Sequence, residues 1–146
     1  MADFFTHFSC VLDVGTVENA AKALDLYNKF MDDLEAEDPR SDGFRLSVEP
    51  EYGGTKLWMR DETTGDPQQV VEFVLRCARA FRLTGRWGFQ WANSCSRPRI
   101  GAFSGGAHVV DLGKRRTVSW VTTDRWLAQM TGQDKRHRAP RDADTP

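Results

Sequence analysis

DPQQVVEFVLRCARAFRLTGRWGFQWA, residues 66–92, changes its hydrophobic period halfway along, and that change decides the fold class. Asp66 stands where a helix N-cap is needed, Pro67 at the first helical position and Gln69 where a capping-box side chain reaches back. Val70, Val71, Val74, Cys77, Ala78 and Phe81 then recur as one apolar stripe, opposite Glu72, Arg76 and Arg79. The spacing predicts a helix with Cys77 in the core. After Thr84-Gly85 the period drops to two. Trp87, Phe89 and Trp91 alternate with Arg86, Gly88, Gln90 and Ala92, which predicts a strand over 86–92 with an aromatic inner face.

The same reading extends in both directions. Residues 4–12 alternate and predict a first strand; Thr16 caps a helix whose apolar positions run from Val17 to Leu34, closed by Pro39 and Gly43. Residues 44–49 and 55–60 predict a hairpin around a glycine-containing turn. Beyond the quoted stretch, 107–111 and 116–121 predict a second hairpin, and DRWLAQM a short helix ending at Gly132. The order is βαββαβ plus a C-terminal hairpin and helix. It predicts an α+β fold of ferredoxin-like split βαβ type, an antiparallel sheet with two main helices on one face. One domain is expected over 1–132. Residues 133–146 are polar and aperiodic, and are expected to be disordered unless a partner orders them.

Composition narrows the setting. A hydrophobic fraction of 40% in 146 residues is enough for a core without staples. The N-terminal run MADFFTHFSCVLD has neither a basic leader nor an apolar span, so a cytoplasmic protein without membrane attachment is expected. Cys10, Cys77 and Cys95 are too few and too widely spaced for a disulfide framework or a zinc site, which predicts reduced thiols. The net charge of −1 hides a division: residues 1–75 hold six Lys and Arg against sixteen Asp and Glu, a net of −10, and residues 76–146 hold fourteen against five, a net of +9. Asp32, Asp33, Glu35 and Glu37 form an acidic partner surface, and Lys114, Arg115 and Arg116 a basic one, which favours charge-steered binding of a partner.

Few residues offer chemistry. A Cys95 thiolate beside Arg97 and Arg99, with His108 as base, is a candidate nucleophile pair, although no third orienting group is evident. Metal-ligand spacings and a phosphate-binding glycine loop with its helix are both missing, so no metal and no cofactor are expected. The richest candidate is WANSCSRPRIGAFSGGA, residues 91–107. Pro98 between Arg97 and Arg99 holds the chain extended and sends both guanidinium groups to one side, while Ser94, Ser96, Ser104, Gly105 and Gly106 supply donors and close backbone approach. An anion or an acidic partner fits such a loop. A plain strand connection kept in water by its arginines accounts for the same residues.

The run WANSCSRPR with GGA after it, the N-terminal THFSC and the WLA helix together resemble an uncharacterised family of small proteins of bacteria and their phages or other mobile elements. The likeness extends over most of residues 4–130. It implies a context and not a mechanism: small proteins of that setting often act by binding, including anti-CRISPR-like inhibitors of host defence complexes. Two readings follow. One is a non-enzymatic binding protein whose charged surfaces engage a protein or protein–nucleic acid complex; the other is a protein or enzyme that holds a small anionic ligand or nucleotide in the 94–106 loop.

Overall fold

The computed structural model describes residues 3–37 and 42–132. Along the chain lie β1 (Phe4–His7), β2 (Ser9–Asp13), α1 (Val17–Glu35), β3 (Arg45–Val48), a single 3-10 turn (Pro50–Tyr52), β4 (Lys56–Arg60), α2 (Pro67–Phe81), β5 (Arg86–Cys95), β6 (Ser104–Asp111), β7 (Arg116–Thr122) and α3 (Thr123–Met130). All strand pairs are antiparallel, giving a mixed α+β architecture.

One antiparallel sheet was expected, and two are found. A four-stranded sheet runs β1-β5-β6-β7 and a three-stranded sheet runs β2-β4-β3. The cause is Phe8, which breaks the expected first strand. His7 still pairs with Ala92 in one sheet, whereas Ser9 already pairs with Arg60 in the other. Phe8 itself is 5% exposed, set edge-on against Phe89 at 6.1 Å, and its carbonyl accepts the Asp61 amide at 3.2 Å. The alternation of side chains continues through the bend, so Thr6, Phe8, Cys10 and Leu12 keep to the inner row. The hydrophobic pattern could not reveal a change of partner that leaves the period intact.

Both long helices start as their sequences dictate. Thr16 accepts the Asn19 amide at 3.0 Å, and Asp66 accepts the Gln68 amide at 3.0 Å. Gln69 does not complete a capping box. Its Oε1 is buried without a partner, and the Asp66 amide donates instead to the Gly43 carbonyl at 2.9 Å. The core joins Ala20, Phe30 and Leu34 of α1 to Val70, Phe73, Val74 and Cys77 of α2 and to Leu12, Leu57, Met59, Phe89 and Val110 of the strands. Phe73 sits at its centre, with the rings of Tyr27, Phe30 and Phe44 each within 6 Å. Cys77 is fully buried, as its place on the stripe requires.

The hairpins match their expected positions, but β5 and β6 are longer than the alternation alone indicates, because pairing continues to Asn93↔Ser104. Ser94, Ser104, Gly105 and Gly106 therefore belong to strands. The expected closure of α1 at Pro39 and the tail 133–146 lie outside the described residues. No helix among the described residues is long and apolar enough to cross a membrane.

Candidate functional site

The bend at Phe8 creates a polar array on the outer side of the four-stranded sheet. His7 ends β1 and lies diagonally across from Ser94 of β5, since His7 pairs with Ala92 and Phe5 with Ser94. The imidazole Nε2 is 3.1 Å from Ser94 Oγ. On its other side Nδ1 is 2.9 Å from Asp61 Oδ2, just past the end of β4. The second carboxylate oxygen, Oδ1, accepts the Phe8 amide at 2.8 Å. Three residues separated by 54 and 87 positions thus meet in one line, serine to imidazole to carboxylate.

The electrostatics suit that order. Partial burial works to raise the Asp61 pKa, but hydrogen bonds from His7 and the Phe8 amide outweigh it and hold the carboxyl below its ordinary range. An ionised Asp61 can only accept a hydrogen bond, so Nδ1 is the donor to it, and in the neutral imidazole that tautomer leaves the lone pair at Nε2, toward Ser94. His7 is 45% exposed and Asp61 15%, which places the carboxylate beneath and the imidazole at the surface.

Ser94 leads directly into the loop 96–103. Ser96 roots that loop: its Oγ accepts the Asp3 amide at 2.9 Å, and its own amide donates to the Asp3 carbonyl at 2.8 Å. Ala102 is the buried anchor at the far end. Between them Arg97 and Arg99 are exposed and Ile100 is fully exposed, and just past Ala102, Phe103 is 81% exposed. Arg99 lies over the Phe4 ring at 5.4 Å. Ile100 and Phe103 are not marked in the sequence, because an apolar residue in a loop carries no periodic signal.

No family model, curated protein or solved structure matches the chain.

The remaining predicted residues are dispersed. Cys95 pairs with Phe4 near the end of β5, whereas His108 faces Phe89 six positions along, roughly 20 Å away at strand spacing. The nucleophile pair expected of them does not assemble. His108 instead contacts Thr117 Oγ1 through Nε2 at 2.8 Å, and burial lowers its pKa. Gly105 and Gly106 are buried where strands approach closely. A Cβ on Gly105 would stand 2.6 Å from the Trp91 carbonyl oxygen, and one on Gly106 would meet the Trp91 ring and stand 2.6 Å from the Val121 carbonyl oxygen. They serve packing and form no exposed cradle with Ser104, whose Oγ accepts from Asn93 Nδ2 at 2.7 Å.

Lys114, Arg115 and Arg116 are exposed on and beside the β6–β7 turn, and Asp32, Asp33, Glu35 and Glu37 are exposed at the C-terminal end of α1. Among the described residues, no group of three or more His, Cys, Asp or Glu side chains is arranged to hold a metal ion. A cavity of about 450 Å³ lies between the inner face of the four-stranded sheet and the start of α2, lined by Thr6, Gln68, Trp91, Asn93, His108 and Trp120 among others. A second of similar volume lies beside Val11, Tyr52, Lys56 and Trp58.

Proposed function

We propose that this is a binding protein that engages a macromolecular partner through the loop 96–103, assisted by its segregated charge. The observation that carries the reading is the exposure of Ile100 and Phe103 beside Arg97 and Arg99. An aromatic and an aliphatic side chain held in water cost solubility and bury nothing in the core, and together with two neighbouring guanidinium groups they make a set enriched at protein interfaces. The acidic end of α1 supports the same reading. Its last turn holds carboxylates and no basic residue, although the helix dipole there favours cations. Among the described residues Arg45–Glu62 is the one contact between oppositely charged Arg or Lys and Asp or Glu side chains, so Arg97, Arg99 and the carboxylates at the end of α1 make no ion pair with one another or with other described residues.

In this proposal the partner is a protein or protein–nucleic acid complex in the cytoplasm, and the resemblance to phage and mobile-element proteins points to a host defence complex. The ferredoxin-like reading also belongs here: β5 pairs with β1, β2 with β4 and β4 with β3, the strand order of a split βαβ whose first strand is divided. The test is capture from bacterial lysate by the native protein and by an Ile100→Ala/Phe103→Ala variant with unchanged circular dichroism. A specific species retained by the first and lost from the second supports the proposal; identical capture profiles refute it. The second reading, a ligand-binding protein or enzyme, is favoured by one observation, the Ser94–His7–Asp61 array.

A further inference from the structure

We infer that Ser94 is a reactive nucleophile, activated by His7 and positioned by Asp61, which accepts the acyl group of a carboxylic ester. The inference deepens the second reading above and is independent of the binding loop. Its basis is the continuous line of contacts, Ser94 Oγ to His7 Nε2 at 3.1 Å and His7 Nδ1 to Asp61 Oδ2 at 2.9 Å. Each member comes from a different part of the fold. Ser94 is fixed by the β1–β5 ladder, His7 by the same ladder and by stacking on Phe5 at 6.2 Å, and Asp61 by the Phe8 amide. Serine hydroxyls are poor nucleophiles alone and are activated by an adjacent base that a third group orients. Here base and orienter both stand at hydrogen-bond distance.

The step balances with water as the only co-reactant. Ser94 Oγ bonds to the carbonyl carbon as its proton passes to His7 Nε2. The carbon–oxygen bond to the leaving alcohol breaks, and that oxygen takes the proton from Nε2. Water then attacks the acyl-serine while His7 takes its proton, releasing the carboxylic acid and restoring the Ser94 hydroxyl. Asp61 takes no proton; it holds the tautomer and balances the imidazolium. The half-exposed imidazole on an open sheet face suits an ester that is small or that projects from a larger molecule.

The test uses the full chain with a fluorophosphonate probe, which forms a bond from Ser94 Oγ to phosphorus and expels fluoride, and with p-nitrophenyl acetate. Peptide mass spectrometry is expected to place the adduct on Ser94. Ser94→Ala removes it, His7→Gln slows labelling by about 10²–10⁴-fold, and Asp61→Asn slows it by more than about tenfold. Because Asp61 is a positioning residue, ¹⁵N NMR of His7 supplies the separate readout. The native protein shows the Nδ1–H form, and Asp61→Asn, which keeps an acceptor for the Phe8 amide, shifts it toward Nε2–H. An adduct rate at Ser94 equal to that of the unfolded chain, or labelling unaffected by His7→Gln in a folded protein, overturns the inference. Either result leaves the capture test of the binding loop unaffected.

Discussion

Gly106→Ala separates packing from ligand approach. A methyl at this position would meet the Trp91 ring and the Val121 carbonyl oxygen 2.6 Å away, and the second of these is backbone of β7 that a rotamer change cannot move. Trp91 has little freedom either, packed on the core with the Phe89 ring 5.7 Å away. Overpacking of this kind costs about 1–3 kcal/mol, and a clash with two fixed neighbours belongs at the upper end. Alanine returns about 0.5–1 kcal/mol by losing less backbone freedom in a strand. The net expectation is destabilisation of about 2 kcal/mol. With a urea slope of about 2 kcal/mol/M, the midpoint followed by tryptophan fluorescence falls by about 1 M at unchanged slope. In a Trp91→Leu background the added cost of Gly106→Ala is smaller than in the native protein, because the ring half of the clash is gone. A midpoint within about 0.2 M of the native value would refute the packing account and restore Gly106 to the exposed-cradle reading.

Three further outcomes follow from buried groups. Burial pushes the thiols of Cys10 and Cys77 up to about 12, so neither is alkylated by iodoacetamide at pH 8 in the native protein and both are in urea; fast native labelling of Cys77 would break the α2 register. Asp61 has a lowered pKa in the fold, so the unfolded chain binds its proton first, and the stability it confers is present above about pH 4 and lost as pH falls through the folded value. Urea melts of native protein and Asp61→Asn should therefore differ at pH 6 and converge toward pH 3; a constant difference across that window contradicts the linkage. Gln69→Met removes a buried carbonyl oxygen that has no partner and raises stability by about 1 kcal/mol in the same assay, whereas a fall of that size would mean the amide is satisfied.

The elements were largely legible because each carries a local signal. The cap Asp66-Pro67 and the stripe through Cys77 place α2, and the alternation of Trp87, Phe89 and Trp91 places β5. The division into two sheets was not, since the bend at Phe8 leaves the period-two pattern of residues 4–12 untouched. The array was hidden for a different reason. His7, Asp61 and Ser94 have no spacing in common, and Asp61 enters only because the break in β1–β2 frees the Phe8 amide to be bound by its carboxylate. Cys95 and His108 looked better paired in sequence, being thirteen positions apart, but strand register sets them far apart on the sheet. In the loop, the arginines are marked by Pro98, whereas the exposure of Ile100, between the anchors Ser96 and Ala102, and of Phe103, between Ala102 and β6, has no signal in the sequence.

The central claim, that the loop 96–103 is an interaction surface, is tested most directly by binding kinetics of the captured partner to native protein, Arg97→Ala/Arg99→Ala and Arg97→Lys/Arg99→Lys. Each charged hydrogen bond lost costs about 1.5–3 kcal/mol, so the double alanine variant should weaken binding at least tenfold at moderate salt with its fold intact. The lysine variant should keep the association rate and lose residence time, because a point charge preserves attraction but not a planar two-pronged contact. Equal affinities for all three proteins would contradict the claim and return residues 96–103 to the role of a connection between β5 and β6.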